Sequence, residues 1–154
     1  MMRSPGNLTI GLQNMCQEMS HRNVLIEIGS HLGESARIFS EYFKTIVCVD
    51  PWPDEAVFDL FMSRKPKNVV ALRTTSIVAA GLVQGADVVY IDGEHSYENV
   101  KQDILLWRDK CTTLCGHDYN LTGWPGVVQA VNEHYATKKT YRDTSWRGGI
   151  RCGA

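Results

Sequence analysis

The apolar positions along this chain change period in a regular way. After a Pro-Gly start, Leu8, Leu12, Met15, Cys16 and Met19 recur at helical spacing, which predicts a short amphipathic helix over 8–19. Val24–Ile28 is a continuous apolar run broken only by Glu27 and closed by Gly29, the pattern of a buried strand. Ile38, Phe39, Tyr42 and Phe43 give the next helix its inner face. Residues 45–49 form a second buried strand, stopped by Asp50-Pro51-Trp52-Pro53. A helix follows over 54–65 with Val57, Leu60 and Phe61 inward, then a strand over 68–72 and a short helix around 77–83 ending at Gly85. The second half repeats the alternation. A strand at 87–91 leads to a helix over 96–110 with Val100, Ile104 and Trp107 on one face, then a weaker strand at 112–115. A last helix is expected over about 126–137, and the β-rich end TYRDTSWRGGIR forms a hairpin or an edge pair.

Short apolar strands alternating with helices are the signature of a parallel sheet covered on both faces. The fold class is therefore α/β, doubly wound, with a mostly parallel sheet, helices on both sides and a β-rich C-terminal end. The 154 residues fit a single domain, 1–154, of the size that buries about 70% of its unfolded surface. No internal repeat or low-complexity segment interrupts it.

Composition narrows the function classes. Sixteen basic against seventeen acidic residues leave a net charge of −1, which argues against a nucleic-acid or anionic-membrane binder. Five cysteines (Cys16, Cys48, Cys111, Cys115, Cys152), odd in number and irregularly spaced, point to a reducing compartment. No apolar run approaches the ~20 residues of a membrane span, and the opening MMRSPGNLTI lacks the apolar core of a secretory leader. The expected location is cytoplasmic.

The chemistry-capable residues fall just after the strands. They are Gly29-Ser30-His31, Asp50, Thr75-Ser76, Asp92-Gly93-Glu94-His95 and His117-Asp118-Tyr119. In a doubly wound sheet the carboxyl ends of the strands share one edge, and ligands bind in the crevice there. Glycines in the first turn let a ligand approach the backbone, and an acid ending the second strand accepts hydrogen bonds from ribose hydroxyls. Each feature alone also reads as plain turn chemistry; together they point to an adenosine-type ligand. A dinucleotide fingerprint needs its third glycine where Glu34 stands, and no phosphate-binding G-x-x-x-x-G-K-[ST] loop occurs. A carboxylate at Glu27 and an acidic first turn suit a ligand without phosphates, and S-adenosyl-L-methionine fits better than NAD.

The stretch from Val24 to Ser35 (VLIEIGSHLGES) resembles the first motif of class I S-adenosylmethionine-dependent methyltransferases. Tyr90–Tyr97 (YIDGEHSY), Gly116–Tyr119 (GHDY) and Pro125-Gly-Val127 resemble a small group within them, related to macrocin O-methyltransferases and cephalosporin-hydroxylase-like proteins. The likeness runs from about 22 to 136. It implies a Rossmann-like methyltransferase fold in which Glu27, Gly29, Ser30 and Gly33 line the methionine part and Asp50 holds the ribose. It places Pro51 and Trp52 near the adenine, with Thr75 and Ser76 at its far edge and Asp92 beside the cofactor. His31 stands where the wider superfamily has a middle glycine.

Asp92, His117 and Asp118 end neighbouring strands, and such a trio suits Mg²⁺ or another divalent cation. His95 or His117, with Asp118, could instead serve as a metal-free base, and structural roles as caps and loop anchors are the third reading. Cys111-x₃-Cys115-x-His117 offers ligand types zinc accepts, but one cysteine inside a strand reads better as a buried free thiol. Trp107 reads as core and Trp124 as a candidate for the acceptor site. The expected activity is methyl transfer to an oxygen, or a nitrogen, of a small-molecule acceptor, with a homodimer covering the open side. A cofactor-binding module without an acceptor site and a dinucleotide-dependent oxidoreductase are the alternatives.

Overall fold

The computed structural model describes residues 5–153; residues 1–4, part of the stretch read for leader character, and Ala154 lie outside it. In chain order the elements are α1 (Pro5–Gln17), β1 (Val24–Ile28), α2 (Glu34–Phe39), β2 (Thr45–Asp50), α3 (Glu55–Arg64), β3 (Val69–Arg73) and α4 (Ser76–Leu82). They continue with β4 (Ala86–Ile91), α5 (Tyr97–Trp107), β5 (Cys111–Gly116), α6 (Pro125–His134), β6 (Lys138–Thr140) and β7 (Trp146–Gly148).

The strands form one sheet in the order β3-β2-β1-β4-β5-β7-β6. β1 to β5 are parallel; β7 runs antiparallel between β5 and β6. Alternate residues on each strand face opposite layers, as the period of two requires. Leu25, Ile46, Cys48 and Tyr90 pack with Leu12, Met15, Phe39 and Phe61 of α1, α2 and α3. Ile26, Ile28, Val89, Ile91 and Leu114 pack with Ala79, Ile104, Trp107 and Val131 of α4, α5 and α6. The helices begin where local chemistry satisfies their first amides. The Asp54 carboxylate accepts from the amides of Ala56 and Val57, Ser96 Oγ accepts from Asn99, and Pro125 opens α6.

Several expectations shift. The first helix runs Pro5–Gln17 rather than 8–19, and the helix expected to carry Tyr42 and Phe43 ends at Phe39. The helix drawn to 110 ends at Trp107, whose carbonyl accepts from the Lys110 amide in a turn. The helix drawn to 137 ends at His134, because Tyr135 is extended and bridges to Arg151. The weak fifth strand is longer and internal, since the expected C-terminal hairpin forms as β6 and β7 and extends the sheet edge beyond it.

The chain order reverses between β1 and β4, and there the backbones nearly touch. Asp92 N–H donates to the Ile28 carbonyl at 2.8 Å, and Gly29 N–H donates to the Val49 carbonyl at 2.8 Å. Gly29 has φ +85°, and a Cβ on it would stand 2.3 Å from the Asp92 carbonyl oxygen. Both the dihedral and the space demand glycine. Gly29→Ala is expected to lower unfolding free energy by about 3 kcal/mol or more, measured by urea denaturation. A variant within about 0.5 kcal/mol of wild type would mean that the two strand ends part without cost.

Candidate active site

The carboxyl ends of β1, β2, β4 and β5 open into two adjoining cavities that share Gly29, His31 and Asp92. The larger, about 510 Å³, is lined by Asp50, Pro51, Thr75, Ser76 and Asp103 among others. The smaller, about 350 Å³, is lined by Ser30, Ser35, His95, Asp118 and Trp124 among others. Together they form a crevice at the topological switch point, where open α/β sheets bind ligands.

Asp50 ties the first turn to the end of β2. One of its oxygens accepts from the His31 amide at 3.0 Å and the other from the Trp52 amide at 2.7 Å. Thr75 caps α4, accepting from the Val78 amide. Ser76 donates to Asp103 at 2.5 Å and accepts from Trp107 Nε1 at 2.8 Å, so a buried carboxyl is fixed at the cavity wall. Asp103 has its acidity weakened to a pKa of about 6, because burial outweighs the Ser76 hydrogen bond.

Asp92, His117 and Asp118 converge, each offering a ligand atom within 4.8 Å of the others'. His117 is buried, with Nδ1 at 3.0 Å from Asp118 Oδ1 and 3.9 Å from Asp92 Oδ1. His95 Nε2 lies 2.5 Å from Asp118 Oδ2, and its ring stacks on Trp124 with centroids 4.2 Å apart. Burial raises the Asp118 pKa, but hydrogen bonds and positive charge from His117 and His95 outweigh it and hold the carboxyl well below the usual range. Among the described residues, Asp118 (φ +61°), His31 (φ +45°), Trp52 (φ +40°) and Thr144 (φ +71°) are the non-glycine residues in the left-handed region. The first three follow the strand ends around this crevice, where such strain is commonly retained for function.

A model of a methyltransferase domain matches residues 26–119, which takes in both cavities' strand-end residues through Asp118. The chain belongs to this methyltransferase-domain family. By family and fold it is a class I S-adenosylmethionine-dependent methyltransferase. A search of curated proteins gives no match. Among solved structures it is similar to a Klebsiella pneumoniae protein described as an O-methyltransferase, with TM-score 0.65 and 10% identity over 97% of this chain and 82% of that one. It is similar to an rRNA methylase from Streptococcus thermophilus, with TM-score 0.64 and 9% identity over 97% and 99% of the two chains. The MycE methyltransferase of mycinamycin biosynthesis, solved with Mg and SAH, gives TM-score 0.63 and 12% identity over 90% of this chain and 48% of that one. At these identities the likeness is one of fold.

Within the methyltransferase the expected cofactor residues divide into two sets. Gly29, Ser30, Asp50, Pro51, Thr75, Ser76 and Asp92 line the crevice. Glu27, Gly33 and Trp52 do not. Trp52 is buried against Phe58 and Phe61, with its indole N–H donating to the His31 carbonyl at 2.8 Å, so it shapes the turn from below. A Cβ at Gly33 would stand 2.9 Å from the Phe61 ring, which makes this glycine a packing requirement. Glu27 is wholly buried beneath the first turn, accepting from the Ser35 hydroxyl and, at 3.5 Å, from the Cys48 thiol. Trp107 is core as expected, and Trp124 stands at the mouth of the smaller cavity, 43% exposed. The cysteines stay outside the Asp92–His117–Asp118 group, and Cys16, Cys48 and Cys115 are buried free thiols. Asp103 went unseen in the sequence because it follows Val100 at helical spacing on a buried face; that very position was the signal.

Burial pushes the Glu27 carboxyl up to about 7, only partly offset by hydrogen bonds such as that from Ser35. The folded protein therefore holds this proton more tightly than the unfolded chain. Its contribution to stability is fully present below pH ~4.5 and is lost as pH rises toward about 7. Glu27→Gln is expected to flatten the fall in stability between pH 5 and 8, a difference on the order of 2–3 kcal/mol across the window. Parallel stability–pH curves for the two proteins would show that Glu27 does not titrate there.

Proposed function

We propose that the crevice binds S-adenosyl-L-methionine with its adenosine in the larger cavity and its sulfonium end in the smaller. The methyl group then passes to an oxygen of a small-molecule acceptor held beneath Trp124. The convergence of Asp92 and Asp118, which line the smaller cavity, with the buried His117 carries this reading. The transfer is a direct displacement: the acceptor oxygen forms a bond to the methyl carbon, the carbon–sulfur bond breaks, and S-adenosylhomocysteine leaves. The acceptor hydroxyl gives up its proton as charge builds on oxygen. His95 opens onto this cavity and is oriented by Asp118, which supports His95 as the base that takes that proton. The lining is acidic (Asp50, Glu94, Asp103, Asp118), which favours a compact acceptor over a polyphosphate chain.

The donor set fits a divalent cation. One imidazole nitrogen and two carboxylates, with ligand atoms within 4.8 Å of one another, suit Mg²⁺ or a borderline ion such as Mn²⁺. Asp92, His117 and Asp118 would hold the ion, which would supply Lewis acidity that lowers the pKa of an acceptor hydroxyl. The 2.5 Å contact of His95 with Asp118 favours a second reading, in which these two act as a metal-free dyad. The free thiols suit a reducing cytoplasmic setting, and a second copy of the chain is the expected cover for the open side.

S-adenosylhomocysteine at 100-fold its Kd should stabilise the protein by about 2.7 kcal/mol in thermal melts, and NAD should not. Asp50→Ala should remove that gain, and it should also lower the unliganded melt, because the His31 and Trp52 amides lose their acceptor. With a panel of phenolic and sugar hydroxyl acceptors, EDTA should stop turnover and Mn²⁺ or Mg²⁺ restore it. Asp92→Asn and Asp118→Asn should each lose about 10²-fold or more in rate. Full turnover in EDTA, with a rate falling as the pH drops through the imidazole range, selects the dyad. Methylation of an RNA oligonucleotide but no small hydroxyl compound would replace the acceptor class. Cofactor binding without any turnover would leave a binding module.

A further inference from the structure

The C-terminal turn between β6 and β7 drives a second carboxylate into the core directly behind His117. Asp143 and His117 have side chains each 1% exposed, and Asp143 Oδ2 lies 3.6 Å from His117 Nε2. Burying a carboxylate is costly unless donors surround it. Ser145 supplies two: its amide at 3.2 Å and its hydroxyl at 2.6 Å. The Tyr90 hydroxyl lies 3.0 Å from Ser145 Oγ, which extends the network back to β4.

Two further features look built around this carboxylate. In the middle of α1, Gly11 leaves the space it occupies; a Cβ there would stand 2.0 Å from Asp143 Oδ1. The next residue, Thr144, is a β-branched residue held at φ +71°, a conformation that must be stabilised by its surroundings. Its carbonyl accepts from the Tyr119 amide at 2.9 Å, so the turn is fastened to the loop that carries His117 and Asp118.

We propose that Asp143 is a positioning residue for His117: its buried carboxylate faces Nε2 at 3.6 Å, a charged neighbour that favours a proton on Nε2 and keeps Nδ1 turned toward Asp92 and Asp118. Histidines that act in metal or base chemistry are held in this way through the ring nitrogen that does not act, and removing the outer carboxylate typically costs 10–100-fold in metal affinity or activity. The arrangement serves both readings of the site, so it rests on the methyltransferase assignment but not on the choice between cation and dyad. It also gives the N-terminal helix and the C-terminal hairpin a part in the site, through Gly11 and Thr144.

The test uses the full chain labelled with ¹⁵N-histidine, without cofactor or metal. His117 Nε2 is expected to carry a proton that exchanges slowly, because it is buried against the Asp143 carboxylate. Asp143→Asn should shift that proton's signal and speed its exchange, and Gly11→Ala should do the same by displacing the carboxylate while otherwise favouring the helix. Affinity for S-adenosylhomocysteine should stay within about twofold in both variants, while kcat and any Mn²⁺ affinity fall about 10–100-fold. An Nε2 without a proton in the wild type overturns the proposal, as does a signal unchanged in whichever variant folds. A loss of cofactor affinity equal to the loss in kcat also overturns it, since that is the mark of general disruption. Absence of Mn²⁺ binding in the wild type removes the cation reading alone, and the Nε2 signal and kcat then decide.

Discussion

The rest of the structure depends on the close approach of two backbones at the switch point of the sheet. β1 and β4 lie side by side, and the turn leaving β1 passes so near the Asp92 carbonyl that only glycine fits at position 29. That approach does two things at once. It holds the amides and carbonyls of the first turn and the fourth strand end in a common rim, and it sets Asp92 at the junction of the two cavities. The helices diverge from this point to opposite faces, α2 to one and α5 to the other, and the crevice opens between them.

A second rule recurs around that rim. Three buried carboxyls, Glu27, Asp103 and Asp143, each accept from a serine hydroxyl: Ser35, Ser76 and Ser145. The first two pairs bridge a strand to a helix and one helix to another, and the third stiffens a turn. A lone buried carboxyl would cost several kcal/mol, whereas a short hydroxyl contact lets it stay at a fixed place. Burial weakens the acidity of Glu27, to about 7, and of Asp103, to about 6, despite the serine hydrogen bonds. Asp118, with two imidazoles around it, goes the other way. The partners of each carboxyl thus set the direction in which its acidity moves.

The fold was legible because its information is periodic. Continuous apolar runs of four to six residues, alternating with helical spacing, predict parallel strands under two helical layers, and the strand-end polar residues do line one crevice. What the sequence hid is of two kinds. Glu27, Gly33 and Trp52 occupy motif positions, but a motif says which backbone turns toward the ligand, not whether the side chain goes under it. All three fall beneath the turn, where Phe61, Ser35 and Cys48 claim them. Asp143 is hidden for a topological reason. It stands behind His117 only because the three-residue β7 inserts antiparallel beside β5, and so short a strand leaves almost no signal in the local pattern.

The charge of the crevice bears on the direction of the proposed reaction. Asp92 and Asp118 edge the smaller cavity, where a sulfonium would sit, Asp50 edges the larger, and the lining offers little positive charge beyond its histidines. The sulfonium would be attracted there, while the adenosyl part carries no charge. Once the methyl had moved, the sulfur would be neutral and that attraction would end, while the adenosine contacts proposed at Asp50 and Ser76 would be unchanged. An acidic rim therefore favours the methyl donor over the spent product at the moment of exchange, by an amount that falls with ionic strength because the crevice is open to water. In the metal-loaded form the cation would neutralise part of that rim beside the acceptor, and the donor's preference would then rest on the carboxylates of the larger cavity. The Gly29–Asp92 contact at the junction of the two cavities would, on the proposed reading, let one edge of a sheet hold a positive donor and activate a negative-going oxygen nearby.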